Sequence, residues 1–281
     1  MVSIDVILLC YNQEQYIEEA LKSILCQKVD AKVRILVADD SSSDKTLDII
    51  KRHEANSTFP FVYLDNNGNI GMQANYQRAF EACNSDYVAI LEGDDWWSSD
   101  QHLAQHISFL RKHSRYSMSF NSITYYYQES GKYKVHKWPY SKDYVTIKIR
   151  QQLGWGNQIG NLSSCVLRTK LLHGLPDQFF KLKFADWELG VMMALRGPIG
   201  KLKESTSVYR INSNGQWTSL SADKRSISEN RTLDELALVI PNYCKKYIKM
   251  YRDILDMQGQ SPYMLPLEVR LKLILKHALG K

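Results

Sequence analysis

Short apolar runs alternate with helix-spaced stretches through the first hundred residues. Residues 4–9 form a nearly continuous apolar run bounded by polar positions, the mark of a strand covered on both faces. Asn12, with Gln15 three residues on, reads as the cap of a helix carrying Ile17, Ala20, Leu21, Ile24 and Leu25 on one face. Residues 33–38 repeat the buried-strand pattern, and from Asp44 onward Leu47, Ile50 and Glu54 fall at helical spacing. A shorter strand is expected at 61–64. Met72, Asn75, Tyr76, Ala79 and Phe80 then define a helix that leads to a strand at 87–91. Strand–helix–strand units in series predict an α/β chain with a doubly wound parallel sheet. Ligands of such sheets bind in the crevice outside the carboxyl ends of the strands.

The pattern changes after Asp100. Leu103, Ile107 and Leu110 mark a helix, and residues 117–128 and 132–138 read as an antiparallel pair around Glu129-Ser130-Gly131. Residues 163–167 read as a strand and 186–195 as a helix ended by Gly197-Pro198. From Ser221 the chain looks helical and polar, with a proline-punctuated join at 261–266. The expected organisation is one domain over 1–220, in halves 1–100 and 101–220, followed by a helical C-terminal extension over 221–281.

Composition narrows the function. With 44% hydrophobic and 23% charged residues in 281, the chain is neither disordered nor collagen-like, and it is long enough to bury a full core without staples. The net charge of +6 is too small for a dedicated nucleic-acid binder. Residues 1–220 carry only +2 of it and residues 221–281 carry +4. Cys10, Cys26, Cys83, Cys165 and Cys244 are odd in number and mostly sit in apolar runs, so they are expected to be buried free thiols of a reducing compartment. The N-terminus shows no leader pattern, and no uncharged stretch reaches 18 apolar residues. A cytoplasmic protein is the expectation.

The strand ends hold the chemistry. The first expected strand finishes in Cys10-Tyr11-Asn12, the second in Asp39-Asp40-Ser41-Ser42-Ser43-Asp44, and the fourth in Glu92-Gly93-Asp94-Asp95. Crowding so many carboxylates at one sheet edge costs several kcal/mol unless a cation or hydrogen-bond donors meet them. A divalent metal shared with phosphate oxygens would answer that cost at the fourth strand. A base N–H or a ribose hydroxyl would do so at the second, with the Tyr11 ring as a stacking surface. Asp44 itself reads as a turn residue capping the next helix.

These residues resemble glycosyltransferase family 2 of the GT-A fold. The resemblance runs through residues 4–12, through Leu-Val-Ala-Asp-Asp-Ser-Ser-Ser-Asp-Lys-Thr at 36–46, and through 66–97 with Asn69-Ile70-Gly71-Met72 and Glu92-Gly93-Asp94-Asp95-Trp96-Trp97. It continues in Asp186-Trp187-Glu188 and in Val208-Tyr209-Arg210-Ile211-Asn212-Ser213, covering about residues 1–217. It implies a Rossmann-like, doubly wound mixed sheet, with a nucleotide-binding half over 1–100 and an acceptor-binding half over 101–220. It further implies that Tyr11 and Asp40 hold the nucleobase, that Asp94 holds the ribose or phosphates, and that Asp95 ligates Mn2+ or Mg2+. Asp186 would be the general base of an inverting transfer from a nucleotide-sugar donor to a glycan or lipid-linked acceptor. UDP is the expected nucleotide, with GDP and dTDP open. Surface-polysaccharide synthesis is the expected setting. The Gln-x-x-Arg-Trp motif and membrane spans of the processive synthases are missing, which favours single-sugar transfer.

Three positions depart from the family pattern. Glu92 replaces the first Asp of the metal motif, so both it and Asn212, where relatives often carry His, are candidates only for supporting the metal or diphosphate. Ser41 stands where Gly is usual and should stiffen its turn. Glu188 rivals Asp186 as base, but two residues on a helix lie about 200° apart, so both cannot face one crevice.

Other features admit two readings each. Trp97, Trp155 and Trp187 suit sugar stacking or the core. The segment 157–161 with Ser163 and Ser164 would line an acceptor pocket or form an ordinary loop. His102 and His106 read as a solvated or packed helix face rather than a zinc site. Basic residues Arg270, Lys272, Lys276 and Lys281 interleaved with leucines suit either an anionic membrane surface, making the protein peripheral on its inner face, or a packed helix. Two rival functions fit parts of the same pattern: a nucleotidyltransferase, which would want a Gly-rich basic loop after the first strand, and a non-catalytic sugar-nucleotide or glycan-binding module.

Overall fold

The computed structural model of the chain describes residues 1–65, 68–135, 140–182, 186–212 and 221–258. The basic segment from Arg270 to Lys281, the join at 261–266 and the end of the strand expected at 132–138 lie outside the described residues, as do parts of the family motifs at 66–67, 184–185 and 213.

The first half alternates as its apolar runs predict: β1 (Ser3–Cys10), α1 (Ile17–Leu25), β2 (Lys32–Asp39), α2 (Thr46–Glu54), β3 (Phe61–Tyr63), α3 (Met72–Ala82) and β4 (Tyr87–Glu92). The rest adds β5 (Trp96–Trp97), α4 (His102–Lys112), β6 (Met118–Tyr127), β7 (Lys132–Val135), β8 (Tyr144–Ile147), α5 (Ile149–Gly154), β9 (Cys165–Arg168), α6 (Thr169–Leu172), α7 (Asp177–Phe180), α8 (Asp186–Arg196), β10 (Ile199–Ile211), α9 (Ala222–Val239) and α10 (Lys245–Gln258). One mixed sheet runs β3-β2-β1-β4-β9-β6-β10-β5, with β7 beside β6 and β8 beside β10. Strands β3, β2, β1 and β4 are parallel, β9 is antiparallel to both its neighbours, and β10 runs parallel to β6. The fold is mixed α/β with a mostly parallel central sheet, as expected.

Strand alternation splits the core into two layers. Ile4, Val6 and Leu8 of β1 pack with Ile17, Leu21 and Ile24 of α1 and with Leu103 and Leu110 of α4. Ile7 and Leu9 face the other way, onto Tyr76 and Phe80 of α3 and Leu189 and Met193 of α8. A third apolar cluster joins Leu153 of α5, Trp187 and Val191 of α8, and Leu233, Leu236, Ile248 and Tyr251 of α9 and α10. The C-terminal helices therefore share a core with the second half of the sheet domain. All five cysteines are free; four are buried, and Cys26 is exposed at the end of α1.

Two expectations change. Asn12 does not cap α1, which starts five residues later; it sits at φ 51° and its Oδ1 accepts from Ser43 N at 2.8 Å, so it laces the loop after β1 to the loop after β2. The 13-residue β10 is invisible as an apolar run because Lys201, Lys203, Glu204 and Ser205 interrupt it and its pairing with β6 shifts between Leu202 and Ser207.

Candidate active site

The carboxyl ends of β1, β2 and β4 deliver their polar endings to one edge. Tyr11 is 48% exposed just past β1. Asp40 is buried just past β2, and its two carboxylate oxygens accept from Ile70 N at 2.8 Å and Gly71 N at 2.9 Å. These bonds tie it to the entry of α3, where Gly71 takes φ 83°. Ser41 adopts φ 61°, a left-handed conformation that explains why glycine would be easier there. Asp39 is buried and accepts from Ser42 N at 2.9 Å; Asp44 accepts from Thr46 N at 2.9 Å, so it closes the turn into α2 from one residue before the N-cap, Lys45, and is not the cap expected of it.

At the end of β4 the chain must turn in a confined space. Gly93 N donates to Leu9 O at 2.8 Å, and a Cβ on Gly93 would stand 2.3 Å from Gln13 Oε1 and 2.8 Å from Ile17 Cδ1. Glycine at 93 lets the three acids follow one another at the crevice. Glu92 is half-buried, with Oε1 accepting from Tyr76 Oη at 2.8 Å and Oε2 from Asn161 Nδ2 at 3.3 Å. Asp95 is fully committed to the protein. Its Oδ2 accepts from Asn161 Nδ2 at 2.9 Å and Ser163 Oγ at 2.7 Å, and its Oδ1 accepts from Arg210 N at 2.9 Å. Asp94 is half-buried, and among the described residues no other side chain donates to its carboxylate.

The site holds its acids at a cost. Burial, with the Asp94 charge second, pushes Glu92 up to about 7. Burial raises Asp94, and burial followed by the charges of Asp94 and Glu92 raises Asp95 well above the carboxylate range. Asp186 opens α8 and is pushed up to about 6 by burial, partly offset by the hydrogen bond from Asn157 Nδ2 at 2.6 Å. One short loop reaches Asp186 through Asn157 and the acids at the end of β4 through Asn161, which brings the acid that opens α8 toward those acids; its charge adds to the raising of Glu92 and Tyr76. Tyr209 of β10 also feels Asp95, Glu92, Asp186 and Asp94, and burial with their charges raises its hydroxyl. Glu188 points elsewhere: it is buried and its Oε1 accepts from Thr232 Oγ1 of α9 at 2.9 Å. Asn212 lies half-buried directly after β10, two residues past Arg210.

Trp97, Trp187 and Ser164, each open to an acceptor-contacting or a packing reading, are buried in the core. Trp97 is 2% exposed, donates Nε1–H to Ser163 O at 2.8 Å and stacks on His102 with ring centres 4.3 Å apart. Trp187 is 6% exposed, donates to Gln152 O at 2.6 Å and packs on Tyr251 in the cluster beneath α9 and α10. Ser164 is fully buried and its hydroxyl donates to Asn161 O at 2.7 Å. His102 and His106 are fully buried rather than solvated, with Nδ1 bonded to Thr206 Oγ1 and Ser119 Oγ, and burial pushes His106 down to about 3.

The loop 157–164, in sequence either the lining of a pocket or an ordinary connection, is the support of the acids. In the fold it carries Asn157 to Asp186, and Asn161 and Ser163 to the acids after β4. The density of Asn and Ser among small residues was the only signal, since the contacts span 29 to 69 positions.

The family model described as "Glycosyl transferase family 2" matches residues 5–174. The chain belongs to that family. An uncharacterized protein of Mycobacterium tuberculosis is 29% identical over 231 residues, which cover 80% of this chain and 64% of the relative. The chain thus spans somewhat less than two thirds of the length of that curated relative. Among solved structures, S. aureus TarS 1-349 in complex with UDP-GlcNAc superposes with a TM-score of 0.64 at 19% identity, covering 99% of this chain and 80% of that one. Mannosyltransferase PcManGT from Pyrobaculum calidifontis, in complex with GDP-Man and Mn2+, gives 0.56 at 15% identity over 99% and 80%. At these identities the likeness concerns the fold, which is that of GT-A glycosyltransferases. Among the described residues, no helix is long and apolar enough to cross a membrane.

Proposed function

We propose that the protein is an inverting, cation-assisted glycosyltransferase that moves one sugar from a nucleoside-diphosphate donor to a hydroxyl of a glycan or lipid-linked acceptor, in the synthesis of a surface polysaccharide. The observation that carries this reading is the pairing of two differently supported acids: Asp94, to whose carboxylate no side chain among the described residues donates, and Asp186, held by Asn157 and raised to about 6.

The residues fit a divalent cation of the kind that relies on its substrate. Among the described residues no three acid, histidine or cysteine side chains gather into a complete cage. Mn2+ or Mg2+ in phosphoryl sites is commonly held by one or two carboxylates, with substrate oxygens and water supplying the rest. Raised carboxylates at this edge are what a bound cation would relieve. Asp95 was the sequence candidate for the ligand, but both its oxygens are engaged by Asn161, Ser163 and Arg210. Asp94 is therefore the carboxylate proposed for the cation, Asp95 the anchor of the turn, and Glu92 a supporting acid fixed by Tyr76 and Asn161. The cation would offset the negative charge that grows on the leaving diphosphate.

Tyr11, exposed at the sheet edge beside the buried Asp40, supports stacking of a nucleobase there, and UDP is the proposed nucleotide. Asp186 would take the proton of the acceptor hydroxyl. The oxygen then bonds to the anomeric carbon as the bond to the diphosphate oxygen breaks on the opposite face, and the nucleoside diphosphate departs with the electron pair. A carboxylate raised toward 6 is a better base than an ordinary one and is still ionised at neutral pH.

The test is release of nucleoside diphosphate from a panel of UDP-, GDP- and dTDP-sugars with Mn2+ or Mg2+, with and without glycan and polyprenyl-phosphate-linked acceptors. Acceptor-stimulated release from one donor class is expected. Tight donor binding with no release under any acceptor would instead favour a sugar-nucleotide-binding module.

A further inference from the structure

Arg210 lies on β10 beneath the turn that follows β4, and its side chain is almost wholly buried although it carries a charge. Its Nε donates to the Asp94 carbonyl at 2.8 Å, Nη1 to Gln128 Oε1 at 2.5 Å and Nη2 to Glu19 Oε2 at 2.5 Å. The guanidinium is also enclosed by aromatic faces, with ring centres of Trp96 at 4.6 Å, Tyr16 at 4.7 Å and Tyr126 at 5.4 Å. Its own amide holds Asp95 Oδ1. One residue thus touches the turn bearing Asp94 and Asp95, the start of α1, and the end of β6.

Burying a cation this deeply is costly unless every donor is used, and here each of the three guanidinium nitrogens has a partner. The planar fork matters: an ammonium could keep the charge but could not donate along three directions while lying flat between rings. No contact of Arg210 requires a ligand, so the clamp exists before anything binds.

We infer that Arg210 is a positioning residue, which fixes the peptide between Asp94 and Asp95 so that the Asp94 carboxylate is presented at the crevice in one orientation. It acts through Asp94 and does not itself reach the donor. This deepens the reading under Proposed function and rests on it for what Asp94 binds, but the fixing of the turn is a property of the protein alone. Glu19 neutralises the Arg210 charge, so the effect on a cation at Asp94 comes from geometry more than from repulsion. Groups held in place by a supporting shell lose affinity when that shell is removed, typically 10- to 100-fold at metal sites.

The experiment compares the unmodified protein with Arg210→Lys, Arg210→Gln and Glu19→Ala. Free Mn2+ is counted by electron paramagnetic resonance during titration with UDP present, and amide hydrogen exchange at residues 94–96 is followed without ligand. Both Arg210 variants are expected to weaken Mn2+ binding about tenfold and to speed exchange at 94–96 at least tenfold, with β1 unchanged. Glu19→Ala, at a half-exposed helix position, should weaken binding about threefold and keeps the test open if the Arg210 variants fail to fold. A Lys variant that binds Mn2+ within twofold of the unmodified protein, or exchange at 94–96 that does not change in Arg210→Lys or Arg210→Gln (in Glu19→Ala, should neither fold), would overturn the clamp. If the unmodified protein binds no Mn2+ with UDP, the nucleotide reading fails while the exchange result still decides the positioning role.

Discussion

Asn157 donates from Nδ2 to Asp186 Oδ2 at 2.6 Å while its own Oδ1 accepts from Ile159 N at 3.1 Å and Gly160 N at 3.3 Å. The two backbone donors fix which end of the amide faces the carboxylate, so Asp186 is oriented by a side chain that cannot flip without losing three bonds. Replacing Asp186 by Asn keeps the size and removes the proposed base. Acceptor-dependent turnover should fall about 10²- to 10⁴-fold, the usual worth of a general base, while donor affinity changes little. Single-turnover kinetics with donor binding measured separately will show both.

The same pair sets a pH limb. Asp186 is raised to about 6, mainly by burial, and a base must be ionised to act. Activity should therefore fall about tenfold per unit as pH drops below 6 and level off above it. The Asn157 bond lowers the Asp186 value. Asn157→Ala should consequently move the limb to higher pH, as well as reduce turnover. A kcat/KM profile from pH 4.5 to 8.5 in both proteins measures the displacement; a limb that stays in place would separate Asp186 from the titration.

Much of the first half was legible because parallel strands buried on both faces read as apolar runs, and β1, β2 and β4 end within a residue of where those runs stop. The carboxylates were legible for the same reason: they are what interrupts the runs at the crevice edge. What was not legible depends on distance along the chain. Asn161 reaches Asp95 across 66 positions and Arg210 reaches it across 115. No local pattern marks either partner. Aromatic residues mislead in the opposite direction, since a tryptophan in a site and one in the core look alike in sequence. Trp97 and Trp187 proved to be core because each finds a backbone carbonyl for its indole N–H and a ring to pack on.

Glu92 would link the proposed cation to stability. Its folded value, about 7, lies above its ordinary 4.5, so between these values the folded protein holds more protons than the unfolded chain. That contribution is full below pH 4.5 and is lost as pH rises through 7. Glu92→Gln should therefore raise the thermal midpoint relative to the unmodified protein at pH 8 but not at pH 4.5. For the same reason, Mn2+ with UDP should raise the midpoint more at pH 8 than at pH 5. Scanning calorimetry across that range, with and without the cation, checks both signs.

Gly93 is constrained by space, since its backbone is not left-handed. A methyl group there would meet Gln13 Oε1 at 2.3 Å, Ile17 Cδ1 at 2.8 Å and Leu9 O at 3.2 Å. Gln13 can move, but α1 and the β1 backbone cannot move without disturbing the sheet. Gly93→Ala should cost about 1–3 kcal/mol, the usual range for overpacking. It should also reduce turnover by displacing Asp94. Urea unfolding and steady-state assays on the same preparation would show the two losses together; unchanged turnover at full stability would mean that the turn tolerates the displacement.

Tyr11 and Trp187 make opposite predictions from opposite exposures. Tyr11 is 48% exposed and Trp187 only 6%. Truncating Tyr11 to Ala removes little packing, so the midpoint should stay within about one degree, but a nucleobase stacked on it would lose about 1–3 kcal/mol of contact. Donor affinity should then fall about tenfold or more, with kcat changed less. Trp187→Ala instead opens a cavity among Leu153, Val191, Leu233 and Tyr251 and strands Gln152 O. It should cost about 3–5 kcal/mol and loosen α9 and α10 from α8, visible as faster amide exchange in those helices. If Tyr11→Ala leaves donor affinity unchanged, the nucleobase lies elsewhere along the sheet edge. If Trp187→Ala alters acceptor affinity at full stability, the indole belongs to the acceptor site after all.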